Sequence, residues 1–310
     1  MLKPLPKPDP ALLKIGIVGG GLMGHAVAAF FLAAGSEVFV FEAASQLGAT
    51  LPARMTVVLG EIGRGAGCLA RLHVCTSLEG MDAGIHLLIE AIPENLASKQ
   101  ELFGKLESLL PNAILASNSS VFRIGDIASK MLERDRAVGT HWWNPPHLIP
   151  VVEVIQGAET AAEAVNWVLE LLDRAGKTPV HVRKDTAGFI GNRLQHALWR
   201  EALALVEEGV ADAETVDIVA RNTLGLKLGA IGPLENADYV GLDLTYAIHE
   251  YLLPTLSRSE HPSTLLANAL KAGKLGAKSG EGLTDWPEGR KAEVAAQLAR
   301  HVRQQLGLPK

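Results

Sequence analysis

The chain has 310 residues, with 29 Lys plus Arg against 34 Asp plus Glu, a formal charge of -5, and 48% hydrophobic against 20% charged residues. At roughly 100 to 200 residues per domain this length points to two domains, able to bury cores without disulfide or metal staples. The mildly acidic balance, with no Lys/Arg-rich run, excludes a phosphate-backbone footprint, so no nucleic acid is expected and the natural ligand is a small molecule.

Met1 to Pro10 holds four prolines and no apolar h-region, so residues 1–11 are expected to form a flexible tail and not a signal peptide. From Leu12 to about Lys184, short apolar runs alternate with helical patterns: Ile15 to Val18, Val38 to Phe41, Ile85 to Ile89, Ile114 to Ala116, Val151 to Ile155 and Val180 to Val182. Such alternation predicts an α/β fold over 12–187, a Rossmann-type doubly wound parallel sheet wrapped by helices. One crossover helix is legible in the stripe Leu102, Phe103, Leu106, Leu109 and Leu110, which stops at Pro111.

After Gly188 the strand-like runs cease, and residues 188–310 read as an all-helical substrate and dimerisation domain with breaks at Gly209, Gly225 to Pro233, Pro254 and Gly273 to Gly282. Leu194, Leu198 and Leu205 give its first helix an unusually apolar surface, which predicts packing on a second subunit in a homodimer. Cys68 and Cys75 match no redox or metal spacing, so no metal is expected and both fit a reducing compartment. The longest apolar run, Ala26 to Ala34, is too short for a membrane span, and a cytoplasmic protein without membrane contact is expected.

Lys14-Ile15-Gly16-Ile17-Val18 leads into Gly19-Gly20-Gly21-Leu22-Met23-Gly24 and then a helix, the order a dinucleotide fingerprint requires. Gly19 permits the tight turn, Gly21 lets backbone approach a pyrophosphate, and Gly24 lets helix and strand pack closely. A bare GxGxxG is also compatible with a structural turn, but Glu42 follows Gly24 by 18 residues, at the end of the second strand, where a carboxylate can accept from a ribose 2'-hydroxyl. Ala43, Ala44 and Ser45 offer no arginine for a 2'-phosphate, so NAD is favoured over NADP.

The chemistry-bearing residues lie near later strand ends. His141 sits in Gly139-Thr140-His141-Trp142-Trp143-Asn144-Pro145-Pro146, and Glu153 follows 12 residues later inside an apolar strand. A carboxylate flanked by buried positions needs a partner. An imidazole would serve, with one ring N–H held by Glu153 and the other nitrogen left to take a hydroxyl proton. Ser120 and Asn192 could bond the same oxygen and hold the alcohol carbon in place. Taken singly, the serine and asparagine read as caps, Glu153 as an ion pair and His141 as a core histidine. Trp142 and Trp143 read as core or as a stacking surface, and His25 stays unassigned.

Together these stretches resemble the 3-hydroxyacyl-CoA dehydrogenase family from Ile15 to about Leu283. The resemblance also rests on Glu90-Ala91-Ile92-Pro93-Glu94-Asn95, Ser117-Asn118-Ser119-Ser120, Val152-Glu153-Val154, Asp185 to Arg193, Gly232-Pro233 and Lys278-Ser279-Gly280-Glu281-Gly282. It implies His141 as general base, Glu153 as its orienting partner, and Ser120 and Asn192 as positioners of the substrate oxygen. It implies NAD contacts at Gly19, Gly21, Leu22, Met23, Gly24, Glu42, Glu94, Lys99, Ser120, Asn144 and Lys278.

Two departures bear on substrate. The acyl-CoA enzymes carry a longer, lysine-rich helical insertion between the positions of Glu42 and Glu90, where this chain has only Arg54, Arg64 and Arg71 as arginines and no lysine. The segment before Val151 also lacks the lysine those enzymes tend to place there. Both features resemble the small-acid branch, which implies a small carboxylate-bearing alcohol or hydrated aldehyde as substrate, with His147, Lys227 and Arg123 as candidate cations. The other readings are a short-chain acyl-CoA enzyme with a reduced nucleotide-binding arm, and a non-catalytic NAD-binding protein like the crystallin relatives.

Overall fold

Runs of β-branched and aromatic residues without an intervening polar face, as in Lys14–Val18 and Glu37–Phe41, cannot sit at a water-exposed sheet surface and so form strands covered on both sides. The computed structural model of the chain describes residues 4–307. By contacts the chain divides into two units, Met1–Arg193 and Leu194–Lys310.

The first unit runs β1 (Lys14–Val18), α1 (Gly24–Ala34), β2 (Glu37–Phe41), α2 (Ser45–Ala49), α3 (Leu51–Glu61), β3 (Leu72–Cys75), β4 (Leu87–Glu90), α4 (Leu96–Leu109), β5 (Ile114–Ser117), α5 (Ile124–Ile127), β6 (Ala137–Trp142), β7 (Val151–Ile155), α6 (Ala162–Arg174) and β8 (Thr178–Val182). The eight strands form one sheet in the order β3-β2-β1-β4-β5-β6-β7-β8. Chain order reverses at β1, which has β2 on one side and β4 on the other, and such a switch point opens a crevice at the carboxyl ends of the strands.

The sheet is not wholly parallel, as the alternation had predicted: β7 runs antiparallel to β6, because the two are joined by a short loop with no helix to carry the chain back. That reversal sets Glu153 directly opposite His141. One face of the sheet is filled by α1, α3 and α6 through Phe31, Leu32, Leu51, Leu59, Val165 and Leu171, the other by α4 and α5 through Phe103, Leu106, Ile124 and Ile127.

The tail expected to be flexible is docked over its described part. Leu5 packs on the core, Trp167 Nε1 donates to Pro6 O at 2.6 Å, Ser36 Oγ donates to Pro10 O at 2.7 Å, and Pro10–Leu12 forms a 3₁₀ turn. Positions 1–3 of that tail lie outside the described residues.

The second unit is helical: most of α7 (Gly191–Glu207), then α8 (Ala213–Asn222), α9 (Leu224–Leu228), α10 (Pro233–Val240), α11 (Leu242–Leu252), α12 (Thr264–Lys271) and α13 (Arg290–Gln305). Polar caps set several starts. Asp212 accepts from Thr215 N at 2.8 Å, Ser263 caps Leu265, and Pro233 opens α10 after Gly232. Among its described residues none is buried in the single chain, and Leu198, Trp199, Tyr239, Tyr246 and Tyr251 are exposed. No helix among the described residues is long and apolar enough to cross a membrane.

Candidate active site

β1 ends at Val18 and the glycines turn the chain straight into α1. Gly19 adopts φ +99°, a left-handed conformation that side chains resist, and a Cβ at Gly24 would lie 1.7 Å from Gly19 O. A Cβ at Gly21, by contrast, would meet nothing within 4 Å. That open side faces a cleft of about 480 Å³ lined by Gly19, Gly21, Leu22, Met23, Glu42, Glu94 and Ser120 among others. No cation lines it.

Glu42, just past β2, accepts from Gly20 N at 2.7 Å and from Ala44 N at 2.9 Å, and each oxygen keeps a lone pair for a ribose hydroxyl. The amides of Gly21 and Leu22 have no acceptor among the described residues. Unpaired N–H groups, a glycine with room beside it and a carboxylate at the strand end fit the pyrophosphate and ribose of NAD.

Glu94 stands on the far lip of the cleft. Its Oε1 accepts from Ser119 Oγ and from Ser120 N at 3.0 Å, which pins the turn after β5. Burial pushes the Glu94 carboxyl up, but the Ser119 hydroxyl, Lys99 and the Ser120 amide outweigh it and hold the group below its ordinary value.

Lys99, for which the resemblance implies a cofactor contact, does not line the cleft. It is 1% exposed, and its ammonium is shared by Glu90 Oε1 at 2.6 Å, Ile92 O at 3.3 Å and Glu94 Oε2 at 3.2 Å. Three acceptors use three protons, so Lys99 braces Glu94 from behind. Glu90, which the sequence offered without a role, anchors this brace: it is fully buried and also accepts from Ser117 Oγ at 2.6 Å. A carboxylate that closes the apolar run of β4 is the available signal.

At the neighbouring strand ends His141 and Glu153, 3% and 2% exposed, face each other across β6 and β7 with Nδ1 to Oε2 at 2.7 Å. Glu153 Oε1 accepts from Ile190 N at 2.8 Å and Gly191 N at 3.1 Å. Burial raises the Glu153 carboxyl, yet the His141 bond, the two amides and the His141 charge prevail and leave it below the usual carboxylate range. Two consecutive left-handed residues, Gly188 at φ +75° and Phe189 at φ +51°, turn those amides toward Glu153. A left-handed phenylalanine costs roughly 1–3 kcal/mol. Phe189 is held there by burial, with its ring 5.5 Å from the His141 ring. His141 Nε2 has no hydrogen-bond partner among the described residues.

Asn192, at the start of α7, donates Nδ2 to Ser120 O at 2.7 Å. Ser120 is thus held by Glu94 at its amide and Asn192 at its carbonyl, and its hydroxyl is left unbonded among the described residues. The tryptophan pair divides: Trp142 packs in the core on Phe30 at 5.4 Å, and Trp143 lies 4.9 Å from the His141 ring.

Asn144 lines a neighbouring cavity of about 310 Å³ with Leu22, His25 and Arg54, and not the main cleft. His147 is bonded to Glu61 at 2.5 Å, Arg123 to Asp126 at 2.9 Å, and Lys227 is exposed in the second unit. Lys278 is exposed in the second unit, within a turn closed by the Gly276–Glu281 bridge.

A cleft at the switch point of an open sheet, with a glycine turn and a strand-end carboxylate on its rim, defines a dinucleotide-binding fold. The NAD-binding domain of 3-hydroxyacyl-CoA dehydrogenase matches residues 14–186, and the C-terminal domain of the same enzymes matches residues 188–286. The chain belongs to the 3-hydroxyacyl-CoA dehydrogenase family, whose NAD-dependent members act on CH–OH groups.

It is 34% identical over 296 residues to 5-formyl-3-hydroxy-2-methylpyridine 4-carboxylate 5-dehydrogenase of Mesorhizobium japonicum, covering 93% of this chain and 95% of the relative. It is 36% identical over 282 residues to a probable 3-hydroxybutyryl-CoA dehydrogenase of Deinococcus radiodurans, covering 87% and 99%. Among solved structures, a 5-formyl-3-hydroxy-2-methylpyridine 4-carboxylic acid 5-dehydrogenase, an NAD+-dependent dismutase, superposes with a TM-score of 0.88 at 31% identity, covering 96% and 99%.

Proposed function

We propose that this enzyme oxidises a small carboxylate-bearing alcohol, or a hydrated aldehyde, and not a CoA thioester. The observation that carries this reading is the short stretch between Glu42 and Glu90. It folds into α2, α3, a 3₁₀ segment and β3 with no lysine at all, where a CoA nucleotide would need several cations. The similarity to the pyridine-carboxylate dehydrogenase over nearly the full length of both chains supports the same choice.

Bound NAD supplies the hydride acceptor. His141 takes the hydroxyl proton on Nε2, and Glu153 keeps the other ring nitrogen protonated and offsets the charge that develops on the imidazole. Ser120, fixed at both ends of its backbone, offers its hydroxyl to the substrate oxygen, and Asn192 holds it in place. A carbinol leaves as a ketone or aldehyde and a hydrated aldehyde as an acid, one hydride and one proton being lost in each case.

The test is an NAD-reduction screen of small 3-hydroxy acids and aromatic aldehydes, with NADH-dependent reduction of acetoacetyl-CoA alongside. Saturable turnover of a small acid or aldehyde with inert acetoacetyl-CoA is expected. Efficient turnover of acetoacetyl-CoA, the reading favoured by the hydroxybutyryl-CoA relative, would overturn the choice.

The protein is also proposed to be a homodimer through its helical unit. More than twenty large apolar side chains from Leu194 to Leu306 are exposed in the single chain, far beyond what a soluble monomer leaves uncovered. Sedimentation should give twice the 32.9 kDa chain mass, and a monomer at micromolar concentration would end this reading. A cytoplasmic location belongs to the same proposal, supported by the free cysteines Cys68 and Cys75.

A further inference from the structure

We propose that Arg54 is a positioning residue for the cofactor's pyrophosphate: it clamps two carbonyls of the glycine turn so that the amides beyond them face the cleft. Arg54 lies on α3, outside the fingerprint, and does not line the cleft. Its Nη1 donates to Gly20 O at 2.7 Å and its Nη2 to Gly21 O at 3.1 Å.

A planar trans peptide points its N–H opposite to its C=O. Holding Gly20 O therefore aims Gly21 N–H, and holding Gly21 O aims Leu22 N–H. Both residues line the cleft, and neither amide has an acceptor among the described residues.

The turn is gripped from the other side as well, since Glu42 Oε2 takes Gly20 N–H at 2.7 Å. His25 Nδ1 lies beside the clamp, 2.7 Å from Gly21 O and 2.9 Å from Arg54 Nη2, and bonds the carbonyl when it carries the ring proton or the guanidinium when it does not. Glycine peptides lack the side chains that normally restrict such a turn, so without the clamp they are free to rotate. A rotated peptide would present a carbonyl oxygen to two phosphate charges. The guanidinium both prevents that rotation and places a positive charge on the back of the turn.

The test uses the full chain with R54M and R54K. NADH is titrated by its fluorescence, and ADP-ribose and adenosine by displacement of NADH. R54M is expected to weaken NADH and ADP-ribose about tenfold, or 1.4 kcal/mol, and to leave adenosine, which has no pyrophosphate, within about twofold. R54K keeps the charge but loses the fork, and is expected to fall between R54M and wild type.

In turnover, KM for NAD should rise at unchanged kcat. Wild-type NADH affinity in R54M overturns the proposal, and so does a loss of adenosine binding in step with NADH, which would make Arg54 a general prop of the domain. Should R54M fail to fold, R54K decides: wild-type affinity for NADH and ADP-ribose would exclude a two-point clamp.

Discussion

Replacing Glu153 by glutamine tests the proposed dyad with the smallest change of shape. Its carboxylate accepts three bonds, from His141 Nδ1 at 2.7 Å, Ile190 N at 2.8 Å and Gly191 N at 3.1 Å. In E153Q the two backbone donors demand an acceptor, so the amide oxygen turns to them and the NH₂ faces His141. Nδ1 must then accept, and the ring proton moves to Nε2, the atom proposed to take the substrate proton. Forcing the wrong tautomer in this way costs about 10⁴ in kcat where a triad carboxylate is exchanged for its amide.

The fold should hold, since both backbone bonds survive, with a loss of about 1–2 kcal/mol for the missing charge. NADH affinity should not change, because Glu153 does not line the cleft. The assay is kcat and KM for the best substrate of the screen, with NADH binding by fluorescence. A folded E153Q that binds NADH and retains kcat within tenfold of wild type would refute the dyad.

The same variant carries a stability signature: the folded Glu153 carboxyl lies below its ordinary value, so its contribution is present above the unfolded pKa and lost as pH falls through the folded one. Urea melts should show wild type losing more stability than E153Q on acidification. Gly21→Ala and Gly24→Ala should separate binding from folding. A Cβ at Gly21 enters open space in the cleft, so G21A should keep its Tm and lose NADH affinity at least tenfold; one at Gly24 strikes Gly19 O, so G24A should lose both. Unchanged NADH affinity in G21A would remove the pyrophosphate from that turn.

Lys177, 6% exposed, donates to Pro146 O at 2.6 Å and Ile149 O at 2.8 Å, and burial lowers its pKa from 10.5 to about 8. Between those values the unfolded chain binds more protons, so wild-type stability should rise with pH there, by roughly 3 kcal/mol at most. K177M should flatten that rise, and equal slopes in urea melts across the window would count against it.

Strands that carry their own apolar run were legible in the sequence, and those defined by neighbours were not. β3 (Leu72–Cys75) is a half-exposed edge whose LHVC pattern has no run to read. β6 (Ala137–Trp142) holds glycine, threonine and histidine, residues that signal chemistry before they signal a strand, and it is buried throughout. The turn of β7 against β6 was hidden for a related reason: direction depends on what the connecting segment can do, and the eight residues 143–150 are too few for a crossover helix.

Residue type and spacing brought together the residues proposed to act through their own side chains, because His141 and Glu153 flank one short loop and the glycines are contiguous. What escaped was depth and peptide orientation. Lys99 follows Glu94 by five residues, a spacing that suits either a cofactor contact or a buried brace, and only the acceptors around its ammonium decide between them. In the sequence Arg54 is only one of three arginines between Glu42 and Glu90, since a guanidinium that acts on carbonyls 33 and 34 positions away leaves no local pattern. Phe189 and the amides after it are the same case at shorter range. A left-handed phenylalanine is strained in isolation, and it becomes intelligible only once the Glu153 oxygen that collects the next two N–H groups is in view.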